Sequence, residues 1–97
     1  MTENSPEEDR EVRRRRIRFR AWHRGTREMD LLMGGFADAE LTRLRDAELD
    51  QFEHLLDVPD ALVFAWLAGL ETVPAEEQTA FFQKLRAFRV HAAPMNV

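Results

Sequence analysis

The groups of this 97-residue chain whose types and spacing could do chemistry gather in one short stretch, His23-Arg24-Gly25-Thr26-Arg27-Glu28-Met29-Asp30. It reads Arg-Gly-x-x-Glu-x-Asp. Glu28 and Asp30 are the only carboxylates placed to act as a general acid or base. Arg24 and Arg27 supply directional charged donors. Gly25 lacks a side chain and lets a partner's backbone come close. Together they describe a contact patch of Arg24, Gly25, Arg27, Glu28 and Asp30. The same residues also read as helix punctuation. Gly25 can stop one helix at low cost, Thr26 can cap the next, and Glu28 then faces the positive helix end. Sequence physics leaves both readings open.

Other chemistries find little support. The chain has no cysteine, which excludes disulfides, thiolate metal sites and cysteine nucleophiles, and fits a reducing compartment. His23, His54 and His91 are far apart without a His-x-x-x-His pair, so no metal site is expected. The single serine, Ser5, makes a Ser-His-Asp triad implausible. Gly34-Gly35 lacks the strand and spacing of a dinucleotide fingerprint, so no classical FAD-binding fold and no firmly bound cofactor are expected. Trp66, Phe81, Phe82 and Phe88 lie at helical spacing and read as core.

The patch must be positioned by helices. Length sets one domain, with a thin core that buries roughly 60–65% of the unfolded surface. Residues 1–8 read as a disordered tail, 9–89 as a helical domain and 90–97 as a loose C-terminal tail. The first helix is expected over about Asp9 to His23, with Val12, Ile17, Phe19 and Trp22 among its arginines. The second starts near Thr26 and carries Met29, Leu32, Met33 and Phe36, spaced i, i+3, i+4, i+7; Gly34-Gly35 should weaken its last turn. The third carries Leu49, Phe52, Leu55 and Leu56 behind Asp46 and Glu48. The fourth begins near Pro59, carries Leu62, Val63, Trp66, Leu67 and Leu70, and ends near Gly69. The fifth begins at Pro74 and carries Phe81, Phe82, Leu85 and Phe88. Period-2 alternation is absent, so no sheet is proposed. Helices this short are marginal alone, and their stripes must meet in a compact all-α five-helix bundle.

Charge is unevenly spread. Residues 1–27 hold nine arginines against five acids, a balance of +4; residues 28–97 hold five basic groups against thirteen acids, a balance of −8. The run Arg13–Arg16, with Arg18, Arg20, Phe19 and Trp22, admits three readings: a solvated face, a contact for an acidic protein, or a phosphate-binding surface. No apolar run approaches the roughly 18–20 residues of a membrane span. The acid-rich N-terminus is read as neither secretory signal nor transit peptide.

The Arg24-Gly25-x-x-Glu28 motif resembles the signature of the succinate dehydrogenase assembly factors that promote covalent attachment of FAD to the flavoprotein subunit (SdhE-type proteins). The likeness extends to Met29-Asp30-Leu31-Leu32, Leu44-Arg45-Asp46-Ala47-Glu48, Asp57-Val58-Pro59-Asp60 and Phe64-Ala65-Trp66-Leu67, covering about residues 10–89. Arg45, where the family often has a capping Ser or Thr, and Val58, where an acid is common, depart from it. The resemblance implies a cytoplasmic, bacterial-type, non-enzymatic accessory protein, monomeric when free. Its partner would be the flavoprotein subunit of succinate dehydrogenase, with that of fumarate reductase as a further client, and FAD would be the partner's cofactor. Two other classes stay open: a small nucleic-acid-binding or antitoxin-like regulator using the arginine helix, and an enzyme working through Glu28 and Asp30.

Overall fold

Each apolar stripe finds its partner face in a computed structural model that describes residues 6–91. Five α-helices appear among them and no strand: α1 (Pro6–Trp22), α2 (Arg27–Glu40), α3 (Asp46–Leu56), α4 (Asp60–Leu67) and α5 (Ala80–His91). Short 3-10 turns, Leu41–Arg43 and Ala75–Glu77, precede α3 and α5. The all-α single domain is as the periodicity indicates. No helix among the described residues is long and apolar enough to cross a membrane.

The boundaries differ in places. α1 starts at Pro6 and α5 runs through His91, so residues 6–8 and 90–91 are helical, where tails are expected. Most of both expected tails lies outside the described residues. Pro74 opens a 3-10 turn and not α5. The fifth helix begins six residues later, where the Thr79 hydroxyl accepts from Phe82 N–H (3.1 Å) and the Gln51 side chain from Phe81 N–H (3.2 Å). α4 ends before Leu70, whose N–H reaches back to Ala65 O (2.8 Å) while Gly69 N–H bonds Trp66 O (3.3 Å). That Schellman closure needs Gly69 at φ +75° and turns Leu70 out to solvent, 67% exposed, so it is not a core residue.

The core is aromatic. Phe36 of α2 meets Phe52 of α3 and Phe81 and Phe88 of α5 edge to face, at 5.6–5.7 Å between centroids, and Phe52 stacks on Phe81 at 4.7 Å. Such pairs add to the apolar area they bury. From α1 only Ile17 and Ala21 are fully enclosed; Val12 and Phe19 point outward. The Gly34-Gly35 pair lies inside α2 and does not end it. Trp22 explains Gly34: a methyl group there would overlap the indole, which lies flat on the helix backbone, with its N–H toward Asp38 (3.3 Å).

What holds α1 to α3 is charge. Arg10 pairs with Asp46 (2.9 Å), Arg13 with Asp50 and Glu53, Arg16 with Glu53 (3.1 Å), and Arg20 with Asp57 (2.6 Å). Both partners climb together along the chain, so the helices run parallel. Arg18 reaches Asp38 of α2 (3.2 Å) and Arg14 lies 3.7 Å from Glu11. Most of the arginine run is thus neutralised by the protein's own acids, a fourth reading absent from the three drawn from sequence. At the head of α3, Arg45 has no acceptor with which to cap. Glu48 compensates, accepting from Arg45 N–H (3.0 Å) and pairing with Lys84 of α5 (2.7 Å).

These contacts set how the fold responds to overpacking and to acid. Gly34→Ala should cost about 1–3 kcal/mol of stability, the usual penalty of overpacking, read as a lower Tm with helical content retained. Burial opposes the charge on Glu53, but hydrogen bonds from Arg13 and Arg16 outweigh it and hold its carboxyl below the ordinary value. The hydrogen bond from Lys84 does the same for Glu48, and that from Arg10 for Asp46. Depressed folded values give stability that is complete above the unfolded values of about 3.9–4.3 and lost as pH falls through the folded ones. Thermal melts should therefore lose stability below about pH 4, and Glu53→Gln should start lower and fall less steeply.

Candidate functional site

α1 and α2 form an antiparallel hairpin, and the chain between them turns in four residues, 23–26. Gly25 sits there at φ +116°, with nothing within 4 Å of where a Cβ would stand. Glycine is required by the backbone and not by crowding. Thr26 is the N-cap of α2, accepting from Met29 N–H at 3.3 Å. The punctuation expected at Gly25 and Thr26 is therefore present, and Glu28 stands in the first turn.

The five expected patch residues divide into two sets. Arg24 points inward, its side chain only 9% exposed. Its guanidinium donates to Leu56 O, to Val58 O (2.7 Å) and to Asp60 Oδ1 (2.6 Å). The first two are carbonyls at and just beyond the C-terminus of α3, where a cation suits the negative helix end; the third is the first residue of α4. Arg24 thus ties the corner to the α3–α4 junction. Asp30 also works inward: its Oδ1 accepts from the backbone N–H of Arg24 (2.6 Å) and of Gly25 (3.1 Å). Gly25, Arg27 and Glu28 are exposed, with Thr26 between them. Neither Arg27 nor Glu28 makes a hydrogen bond or ion pair among the described residues. Leu31, one turn on, is half exposed.

The result is a rigid ledge. Arg24 and Asp30 hold it from beneath, and Gly25 and Glu28 face outward with an uncovered backbone and an uncommitted charge. Such an arrangement can dock a partner's main chain and a cationic or hydrogen-bond-donating group. It is poorly made for catalysis, because Asp30 is spent on two backbone amides and Glu28 stands alone in solvent. Asp60 is a member of the site that sequence reasoning missed. The Asp57-Val58-Pro59-Asp60 turn is visible in sequence as a turn, but not as the seat of Arg24, 36 residues away. The signal that points to it is the acidic row 46, 50, 53, 57, 60 at helical spacing, which matches the arginine row 10, 13, 16, 20, 24. No cluster of histidine, aspartate and glutamate among the described residues could hold a metal.

The geometry separates Arg24 from its exposed neighbours by experiment. Removing one partner of a buried, hydrogen-bonded ion pair costs about 3–5 kcal/mol. Arg24→Ala should therefore lower Tm by more than about 10 °C in a domain of this size. Arg24→Lys should recover only part of that loss, since one ammonium cannot span three acceptors in a plane.

The family model Sdh5, flavinator of succinate dehydrogenase, matches residues 15–89. The FAD assembly factor SdhE of Acetobacter pasteurianus is 40% identical over 74 residues, which are 76% of this chain and 68% of that protein. The mitochondrial succinate dehydrogenase assembly factor 2 of Mycosarcoma maydis is 43% identical over 74 residues, and that of Dictyostelium discoideum 33% over 66. The matched regions are 31% and 47% of those two proteins, so the match spans less than half the length of either. With three quarters of its residues matched, the chain belongs to the family of succinate dehydrogenase flavinators.

Proposed function

We propose that this protein is an assembly factor for succinate dehydrogenase. It binds the flavoprotein subunit and promotes covalent attachment of FAD to it. The flavoprotein subunit of fumarate reductase is a second client of the same chemistry. The observation that carries this reading is the ledge at Gly25–Glu28, exposed and uncommitted, yet fixed by Arg24 and Asp30, in a chain of the flavinator family.

The factor itself is not an enzyme. The bond to flavin is made by the flavin and a side chain of the partner. This chain contributes binding energy that favours the partner conformation in which the reacting groups are correctly placed. FAD is the partner's cofactor, and the Gly34-Gly35 pair supplies no phosphate cradle because Trp22 and Phe88 pack against it. The factor works as a monomer in the bacterial cytoplasm. A nucleic-acid role is not favoured: arginines already paired with Asp46, Asp50, Glu53 and Asp57 have little left to offer a phosphate chain.

Glu28→Ala tests the reading. As a helix-end charge, Glu28 is worth roughly 0.3–1 kcal/mol of stability. As one half of a charged pair buried on docking, its truncation costs about 2–5 kcal/mol of binding, or roughly 30-fold and more in Kd. The expected outcome is a Tm within a few degrees of the parent, weakened binding to the flavoprotein subunit, and loss of flavin fluorescence on that subunit in a denaturing gel. A folded Glu28→Ala protein that binds and flavinylates normally removes the ledge from function.

A further inference from the structure

Of the seven arginines on α1, six form ion pairs with acids of the same chain. Arg15 is the exception: it is exposed and has no hydrogen-bond or ion-pair partner among the described residues. Its position is not random. Arg15 and Phe19 are spaced i, i+4 on one line of α1, with Val12 one turn before Arg15 and His23 just past the helix end, one turn beyond Phe19. That line is the side of α1 turned away from both α2 and α3. Phe19 is 65% exposed and Val12 45%. The Phe19 ring stacks on the His23 imidazole, 4.1 Å between centroids and 20° between planes. His23 Nδ1 lies 2.6 Å from Phe19 O, which fixes the imidazole in that pose. Directly beyond His23 the chain enters the ledge, where Arg27 is the next unpaired cation.

We infer that the outer stripe of α1, Val12–Arg15–Phe19–His23, is a second contact for the flavoprotein partner, adjoining the ledge. The inference rests on the function proposed above and deepens it. Its occupant is a protein surface with an apolar recess for the stacked Phe19–His23 pair and carboxylates on the rim to pair with Arg15.

Three observations support that occupant. The stacked pair is already ordered, so little side-chain entropy is lost on docking, as suits an interface anchor. An exposed phenylalanine contributes nothing to the core, while an uncompensated arginine beside it asks for negative charge from outside. Finally, the stripe ends at exposed His23, two residues before exposed Gly25 of the ledge, so one partner can reach both. A second copy of this chain is a poorer occupant, because the acidic row on its α3 is already taken by its own α1. Nucleic acid is poorer still, since one free arginine on the stripe releases few counterions.

The test uses the full chain and the purified flavoprotein subunit, with binding measured by calorimetric titration. Phe19→Ala and Arg15→Glu should each weaken binding by about tenfold or more, with Tm nearly unchanged because both residues are exposed, Arg15 has no internal partner among the described residues, and Phe19 stacks on the likewise exposed His23 ring. The Arg15→Glu defect should shrink in about 0.5 M salt, whereas the Phe19→Ala defect should persist. Leu70→Ala, at an equally exposed leucine on another part of the surface, should bind as the parent does. If Glu28→Ala loses binding while both stripe variants stay within about twofold of the parent, the stripe is only a solvated face and the inference falls, with the proposed function intact. If the parent chain does not bind the flavoprotein at all, both fall. Loss of self-association or of duplex DNA binding on Phe19→Ala, with flavoprotein binding unchanged, likewise overturns the proposed occupant.

Discussion

A guanidinium taken almost wholly out of water must have its donors met, and that constraint on Arg24 organises one end of the molecule. Its fork spans Leu56 O, Val58 O and Asp60, so it closes α3, opens α4 and anchors the α1–α2 corner in a single set of bonds. None of these three segments is held there by apolar contact alone. The α3–α4 turn exposes Asp57 and Pro59, and the corner exposes Gly25 to Glu28. Because the cation cannot be left unpaired, the three segments are coupled: displacing any one of them strands a buried charge.

The same economy extends along α1. A chain of this length has a thin core, and α1 gives it only Ile17 and Ala21 as fully buried apolar residues. The parallel row of ion pairs to α3 reinforces the register that these few apolar contacts set. Individually such surface pairs contribute little, about 0–1 kcal/mol. As a row with matching helical spacing they discriminate against a slipped helix, since a shift of one turn would strand the pairs at both ends. The arginines of the basic N-terminal stretch and the acids Asp46, Asp50, Glu53 and Asp57 are the two sides of one seam.

Within the signature corner, labour is divided between inside and outside. Arg24 and Asp30 look inward and determine where the turn lies. Gly25 and Glu28 look outward and offer the surface that the turn presents. A motif of charged residues that reads uniformly as a contact patch is half scaffold. A ledge already braced by Arg24 and Asp30 would lose little entropy on docking, as the proposed function requires. The stacked Phe19–His23 pair repeats that logic one turn earlier on α1.

Local features were decided by the sequence. The stripe Met29–Leu32–Met33–Phe36 made α2, Thr26 capped it, and Gly25 took the positive φ that only glycine adopts freely, because periodicity, capping and torsional freedom act within a few residues. The start of α5 was less legible. Pro74 with Glu76 and Glu77 matches a helix beginning, yet Thr79 and the Gln51 side chain from α3 cap a later one, and a cap supplied by another helix leaves no local trace. Leu70 looked like core because it continues an apolar stripe, but the Gly69 turn rotated it away. Tertiary structure alone decided what the charges do. Whether Arg20 or Arg24 is solvated, offered to a partner or paired depends on which helix lies beside α1 and in what register, and that register is set by the packing of Ile17, Phe36, Phe52 and Phe81 in the core. A guanidinium carries the same charge in every reading; only the fold brings Asp60 within 2.6 Å of it.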